Sequence, residues 1–239
     1  MKFFLVFIIT ITIKLINSKS EECDKAEAVK QFKLKTILDP YPSFNKNPYD
    51  DQSDATKDYI NKTLSNNTIV CAIQYKDEHK QFYQVDQFPS KEHALAEGYI
   101  VTHQGPCGAC SNLQDLAVYM STNLTNPVRK CGLYYSTFSR KWTMDCLIQL
   151  GFSQSCAEIW YFNTINTKKD CFWTCIYSFI INEPLNKPDG SLNNCIQCDE
   201  DKSGPYFKFY SGRTRRNSGI RSEIDRPDQQ VYNITHCYY

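Results

Sequence analysis

The chain has 239 residues, with 27 Lys and Arg against 26 Asp and Glu, so its formal charge is only +1. That near-neutral balance excludes the global attraction by which basic proteins hold nucleic acid, and no nucleic-acid partner is expected. The length suits one large domain or two small ones, and the twelve cysteines point to an oxidising compartment and a disulfide framework.

The chain opens with Met1-Lys2, the apolar run Phe3 to Ile13 and the small residue Ser18. One positive charge, a short apolar stretch and a small residue at a cleavage point form the signal-peptide pattern. The run is too short for a bilayer, which needs roughly 20 residues. A cleavable leader is expected over residues 1–18, with cleavage after Ser18 or Ser20. Its loss removes Lys2 and Lys14 and leaves a formal charge of −1, two below the +1 of the full chain. No later apolar run is long enough to span, so no transmembrane anchor is expected in the mature chain. The expected location is outside the cell or in the lumen of the secretory pathway.

Residues 19–68 read as an N-terminal segment and linker. Ala28, Val29, Phe32, Leu34 and Ile37 lie scattered among charges, which fits a short helix within 21–38. Residues 39–58 are rich in Pro, Asn and Asp and fit a loop or linker. A cysteine-rich domain is expected over 69–239. Its first runs, Ile69–Tyr75 and Gln81–Val85, flank the polar Lys76-Asp77-Glu78-His79 and predict a β-hairpin. Ser90 is placed to cap a short helix ending at Gly98, and Tyr99–Thr102 reads as a third strand.

Beyond residue 107 the pattern turns helical. Ser111-Asn112-Leu113-Gln114 has the spacing of a capping box, followed by Leu113, Leu116, Ala117 and Met120 on one face. Trp142, Cys146, Leu147 and Leu150 predict a helix stopped by Gly151. Ser153 opens a segment with Cys156, Ile159 and Trp160, and Thr167 opens another with Cys171, Cys175 and Phe179. Ser191 starts a last short helix holding Cys195 and Cys198. The remainder, rich in Gly, Arg and Pro, is expected to be irregular. The fold class is therefore α+β and predominantly α-helical: disulfide-stapled helices with a small N-terminal β-hairpin or sheet element.

All twelve cysteines follow the leader: Cys23, Cys71, Cys107, Cys110, Cys131, Cys146, Cys156, Cys171, Cys175, Cys195, Cys198 and Cys237. Each is expected in a disulfide, with the pairing left open by spacing alone. Four sequons, at Asn61, Asn66, Asn123 and Asn233, are candidate N-glycosylation sites.

Three segments carry candidate chemistry. His103-Gln104-Gly105-Pro106-Cys107-Gly108-Ala109-Cys110 sits between a predicted strand and helix, which resembles the local layout of the thioredoxin family. There a helix N-terminus lowers the thiol pKa and activates the nucleophile. A lumenal thiol–disulfide oxidoreductase using Cys107 and Cys110 is thus the alternative to a structural role. Cys107-x2-Cys110 with Cys195-x2-Cys198 also spells a four-thiolate zinc set, but the insert is far longer than compact zinc ribbons use. No metal and no cofactor are expected. The third segment brings Asp199, Glu200 and Asp201 close in sequence to Arg213, Arg215 and Arg216. Mutual ion pairing, an anion site of guanidinium and backbone N–H groups, or a basic processing site at Arg213-Thr214-Arg215-Arg216 are the three readings. His79, His93, His103 and His236 stand alone in sequence, and no Ser-His-Asp pattern or phosphate-binding glycine loop is present.

The strings Gly108-Ala109-Cys110-Ser111-Asn112-Leu113-Gln114-Asp115-Leu116-Ala117-Val118-Tyr119-Met120, Trp160-Tyr161-Phe162-Asn163-Thr164, Cys195-Ile196-Gln197-Cys198-Asp199-Glu200-Asp201-Lys202-Ser203-Gly204-Pro205 and Gly212-Arg213-Thr214-Arg215-Arg216-Asn217-Ser218-Gly219 resemble an uncharacterised family of cysteine-rich exported proteins of microbial eukaryotes. The resemblance covers about residues 103–227 and implies one coherent domain without assigning any catalytic residue. The expected function is a secreted or lumenal glycoprotein acting as a structural or binding module, with a protein or an anionic ligand as candidate partner at the arginine-rich loop.

Overall fold

The computed structural model describes residues 24–121, 123–136 and 138–239. The expected leader and Cys23 lie outside the described residues.

The N-terminal third builds a small sheet with helices on both faces. Helix α1 (Lys25–Phe32) is opened by Asp24, whose carboxylate accepts from the N–H groups of Ala26 and Glu27. The predicted hairpin forms as β2 (Val70–Tyr75) and β3 (Phe82–Phe88), antiparallel, and β4 (Ile100–Gln104) pairs on the other side of β2. A two-residue strand β1 (Thr36–Ile37) adds in parallel to β3, giving the order β1-β3-β2-β4. Alternation along β2 fixes the layers. Ile73 packs with Phe32, Leu113 and Leu116 beneath α1 and α4 (Leu113–Ser121), while Val70 and Ala72 face Ala94 of α3 (Lys91–Ala96). Ser90 caps α3 as its position suggested, accepting from the N–H of His93 at 3.2 Å.

Residues 39–53 carry no regular structure, but α2 (Asp54–Ser65) follows within the stretch read as loop or linker. Ser53 caps α2, and Ile60 is its single fully buried residue. Tyr49 and Ile60 are both buried in the larger of the cores.

That core belongs to the helices. After α4 come α5 (Thr125–Lys130), a π-turn at Cys131–Tyr135, α6 (Arg140–Gln149) and α7 (Gln154–Ile180). Ser139 and Ser153 cap α6 and α7. Thr167 does not open a new helix as expected. α7 runs unbroken for 27 residues, and the Thr167 hydroxyl turns sideways to Asp199 and Ser203 of the neighbouring segment. The last helices are α8 (Asn194–Lys202), capped by Asn193 instead of Ser191, and α9 (Gly204–Ser211). Helix α9 corrects the expectation of irregular chain after α8. Pro205 stands at its start, where the missing N–H costs no helical bond.

Five disulfides join the described residues: Cys71–Cys107, Cys110–Cys156, Cys131–Cys146, Cys171–Cys198 and Cys175–Cys195. Cys237 is disulfide-bonded as well. The last two named bridges form a ladder between α7 and α8. The expected α-rich, disulfide-stapled α+β architecture is the one observed.

Candidate functional site

The Cys107–Cys110 segment is drawn into the centre of the molecule, and its two sulfurs go to different places. Cys107 bonds Cys71 of β2, and Cys110 bonds Cys156 in the first turn of α7. Cys110 is fully buried. The Cys195–Cys198 pair likewise divides between two bridges to α7, so all four sulfurs of the zinc reading are in disulfides. Cys110, Cys156 and the carboxylate of Asp115 do lie together, but the two sulfurs are bonded to each other.

The capping-box expectation is corrected here. Asn112 is the residue that caps α4, its Oδ1 accepting from the N–H of Asp115 at 2.7 Å. The Ser111 hydroxyl is occupied elsewhere: it accepts from the N–H of Gly108 and lies 2.8 Å from Nε2 of His103. Gln114 reaches across to the carbonyl of Gly151. His103 Nδ1 stands 3.0 Å from the carbonyl of Gln104, which can only accept, so the ring proton is on Nδ1 and Ser111 donates to Nε2. A serine donating to a histidine is the geometry of an activated nucleophile, yet both residues are buried and no substrate can reach them. Burial, with Arg213 nearby, holds the His103 pKa well below the usual imidazole value, so the neutral ring works as a bracing group.

Arg213 explains this arrangement. It is fully buried, and every one of its five N–H donors is used. Nε donates to the carbonyl of Cys110 at 3.0 Å, Nη1 to the Thr102 carbonyl and the Ser218 hydroxyl, and Nη2 to the Thr102 hydroxyl and the Ser111 carbonyl. None of these acceptors is a carboxylate. Room for this approach comes from two glycines in backbone contact. A Cβ on Gly108 would lie 2.6 Å from the nitrogen of Gly212, and Gly212 itself has φ +68°. His236 closes the other side, donating from Nε2 to the Ser218 carbonyl and accepting from the Tyr238 hydroxyl at Nδ1. Asp115, also fully buried, takes the N–H and hydroxyl of Ser153 at 2.7 Å each. Burial pushes its pKa up to about 6 despite those bonds.

The arginine-rich loop therefore differs from the expected ion-pair cluster. Only Arg216 meets one of the three acids, Glu200, at 3.4 Å. Glu200 also binds Lys208 at 2.9 Å and Arg226 at 3.0 Å. Burial would raise its pKa, but the three cations outweigh that and hold it below the usual carboxylate value. Asp199 is turned inward to Asn163 and Thr167, and Asp201 bonds Gln197. Arg215 donates to the side chain of Asn123. The processing reading fails on the same geometry. Arg213 is enclosed, Thr214 N–H is held by Asn217, and Arg216 lies in a 3-10 turn; a protease needs an exposed, yielding strand.

Two surface features remain. A cleft of about 430 Å³ lies between the 35–43 segment and the start of α7, lined among others by Lys35, Tyr41, Pro42, Gln114 and Gln154. The second is the far half of α7. From Cys171 to Ile181 the helix and its cap contain no charged residue. Cys171 and Cys175 point to α8 and Ser178 bonds Glu183, while the opposite side leaves Trp173 80 % exposed, Ile180 73 %, Phe179 70 % and Tyr177 60 %, with Ile181 and Phe172 beside them. At 3.6 residues per turn these side chains spread as a stripe over roughly 200° of the helix surface, with Trp173 and Ile180 near the centre. The sequence gives this stripe as a continuous apolar run, which conceals that only one side of it is covered. All four sequon asparagines are exposed. They lie in α2, just after it, between α4 and α5, and in the C-terminal tail; none is on α6, α7 or α8. No helix among the described residues is long and apolar enough to cross a membrane.

Residues 140–234 match a family model described as "Family of unknown function (DUF8771)". The match takes in α6 to α9, the α7–α8 ladder and Arg213. No curated protein and no solved structure matches the chain.

Proposed function

We propose that this chain is a secreted, disulfide-braced recognition module that meets its partner through the bare side of α7. The observation that carries the reading is the stripe itself. A helix apolar around its whole circumference is ordinarily covered all round, and here the disulfide ladder covers one side only. An exposed apolar patch of this size marks an interaction surface. The arginine loop, the earlier candidate contact, is a poorer choice, because Arg213 is enclosed and Arg216 is tied to Glu200 and Gln230.

The disulfides support an oxidising destination, and the exposed sequons support glycosylation there. The leader at 1–18 is part of the same proposal. The oxidoreductase alternative draws no support from the geometry, since Cys107 and Cys110 sit in separate bridges and Cys110 is fully buried. Expression in a eukaryotic secretory host tests the reading. The expected product is in the medium, begins just after Ser18 or Ser20, and loses mass on glycosidase treatment. An unglycosylated, reduced protein retained in the cytosol would overturn it.

A further inference from the structure

We infer that the partner on the bare side of α7 is a second copy of this chain, paired stripe to stripe about a two-fold axis; the inference rests on the stripe being the contact surface. Four observations bear on it. The first is area. Fully exposed aromatic side chains present about 150–250 Å² each, so Phe172, Trp173, Tyr177, Phe179, Ile180 and Ile181 at their observed exposures offer on the order of 700 Å². A stable pair buries about 800 Å² per partner, so this stripe on each copy nearly supplies the whole interface.

The second is chemistry. Between Cys171 and Ile181 no charge calls for a complementary one, so the surface best matched to the stripe is another neutral, aromatic and aliphatic surface. The stripe is such a surface, and Trp, Tyr and Phe are the side chains enriched in interface centres. A two-fold axis across the helix runs the two copies antiparallel. The charged residues Lys169 and Asp170 at the N-terminal edge of one stripe then lie far from their equivalents, and the helix dipoles oppose.

The third is rigidity. Cys171–Cys198 and Cys175–Cys195 fix the backbone beneath the stripe to α8, so little order has to be imposed when two copies meet. The fourth is clearance. The exposed sequons sit on other elements, and glycans attached there leave α7 open.

Sedimentation velocity on the secreted, oxidised protein from about 1 to 100 μM tests this. The wild type is expected to sediment as a dimer that dissociates on dilution. Trp173→Ser should weaken the pair about 1,000-fold, the loss of a roughly 2 kcal/mol anchor from each copy, and Trp173→Ser with Ile180→Ser should be monomeric throughout. Both side chains are exposed, so cooperative thermal unfolding at the midpoint of the wild type diluted to monomer confirms that the variants fold. Leu34→Ser, exposed on the sheet side, should leave the dimer intact. A wild type that is monomeric at the highest concentration, or a dimer indifferent to both substitutions, overturns the inference. In the first case phosphatidylcholine vesicles separate the outcomes. Vesicle binding lost in the double variant overturns self-pairing and keeps the stripe as a contact surface. No binding in either protein removes both.

Discussion

The two halves of α7 are held in place by different means. In the first half Cys156, Ala157, Glu158, Ile159, Phe162, Asn163 and Asn166 are buried, and Phe152, Leu147, Tyr119 and Tyr206 pack around them. In the second half only Cys171 and Ser178 are buried, and α8 contributes little apolar cover beyond Ile196. Packing around the one Cys110–Cys156 bridge fixes the first half, and the two-bridge ladder to α8 fixes the second. Where a chain cannot assemble a deep core, cross-links that constrain the unfolded state take over its role. They also let an apolar surface stand open without the helix unwinding.

The largest expected effect attacks the packed half. Arg213 ties the Cys110 carbonyl, next to the bridge into α7, to β4 and the C-terminal segment. Arg213→Met keeps an unbranched apolar stem and removes all five donors, leaving buried carbonyls without partners at about 1–3 kcal/mol each. A loss above about 4 kcal/mol in urea unfolding, or failure to be secreted, is expected. A variant within about 1 kcal/mol of wild type would mean that water replaces the guanidinium.

The next effect belongs to the bridged half. Replacing Cys171 and Cys198 by alanine leaves the nested Cys175–Cys195 bridge closed, so only a short outer loop is released and chain entropy gives on the order of 2 kcal/mol. The damage should be local. Amide protection should fall across 168–181 and 194–202 and persist across 156–166 in hydrogen exchange. Equal loss in both halves would show that packing and bridging are one unit.

The smallest effect is on pH and reports the buried groups behind the packed half. Burial, aided by Arg213, lowers His236 to about 4 from the usual imidazole value of 6.5, and moves His103 in the same direction. The folded state then binds fewer protons than the unfolded one, so these groups contribute fully above pH 6.5 and lose that contribution as pH falls toward 4. Asp115, raised to about 6 from 3.8, acts in the opposite sense: its burial costs stability above pH 6 and the cost fades below. Two histidines act against one aspartate, and a net loss of stability is expected between pH 7 and 4.5. His236→Gln should flatten that slope and Asp115→Asn steepen it, measured by denaturant midpoints across pH. A profile that rises toward acid would reverse the ranking of these groups.

Much of the framework was legible in the sequence because its signals are local. Capping serines at Ser90 and Ser153, strand alternation and the even cysteine count each act within a few residues. What was missed depends on distant partners. Helix α2 has one fully buried residue, Ile60, too little for a periodic pattern. Thr167 looked like a helix start because Thr167-Lys168-Lys169-Asp170 is polar, yet α7 passes straight through and its threonine binds α8. Arg213 read as part of a surface charge run, since nothing nearby reveals that its acceptors come from residues 102, 110 and 111. The lone histidines His103 and His236 found hydroxyl and carbonyl partners in the same way. The disulfide pairing was open for the same reason, being decided by which helices meet.

The contact between Gly108 and Gly212 has a consequence for how the chain is made. Arg213 reaches a carbonyl 103 positions earlier in the polypeptide, so a ribosome must deliver most of the molecule before its centre can close. Cys110 can find Cys156, only 46 positions on, while the arginine is still unsynthesised. In an oxidising compartment the Cys110–Cys156 bridge can thus close before the guanidinium arrives. Any product terminated ahead of Gly212 keeps a polar hole lined by the carbonyls of Thr102, Cys110 and Ser111. Filling that hole falls to Arg213, which follows the residues that line it by about a hundred positions.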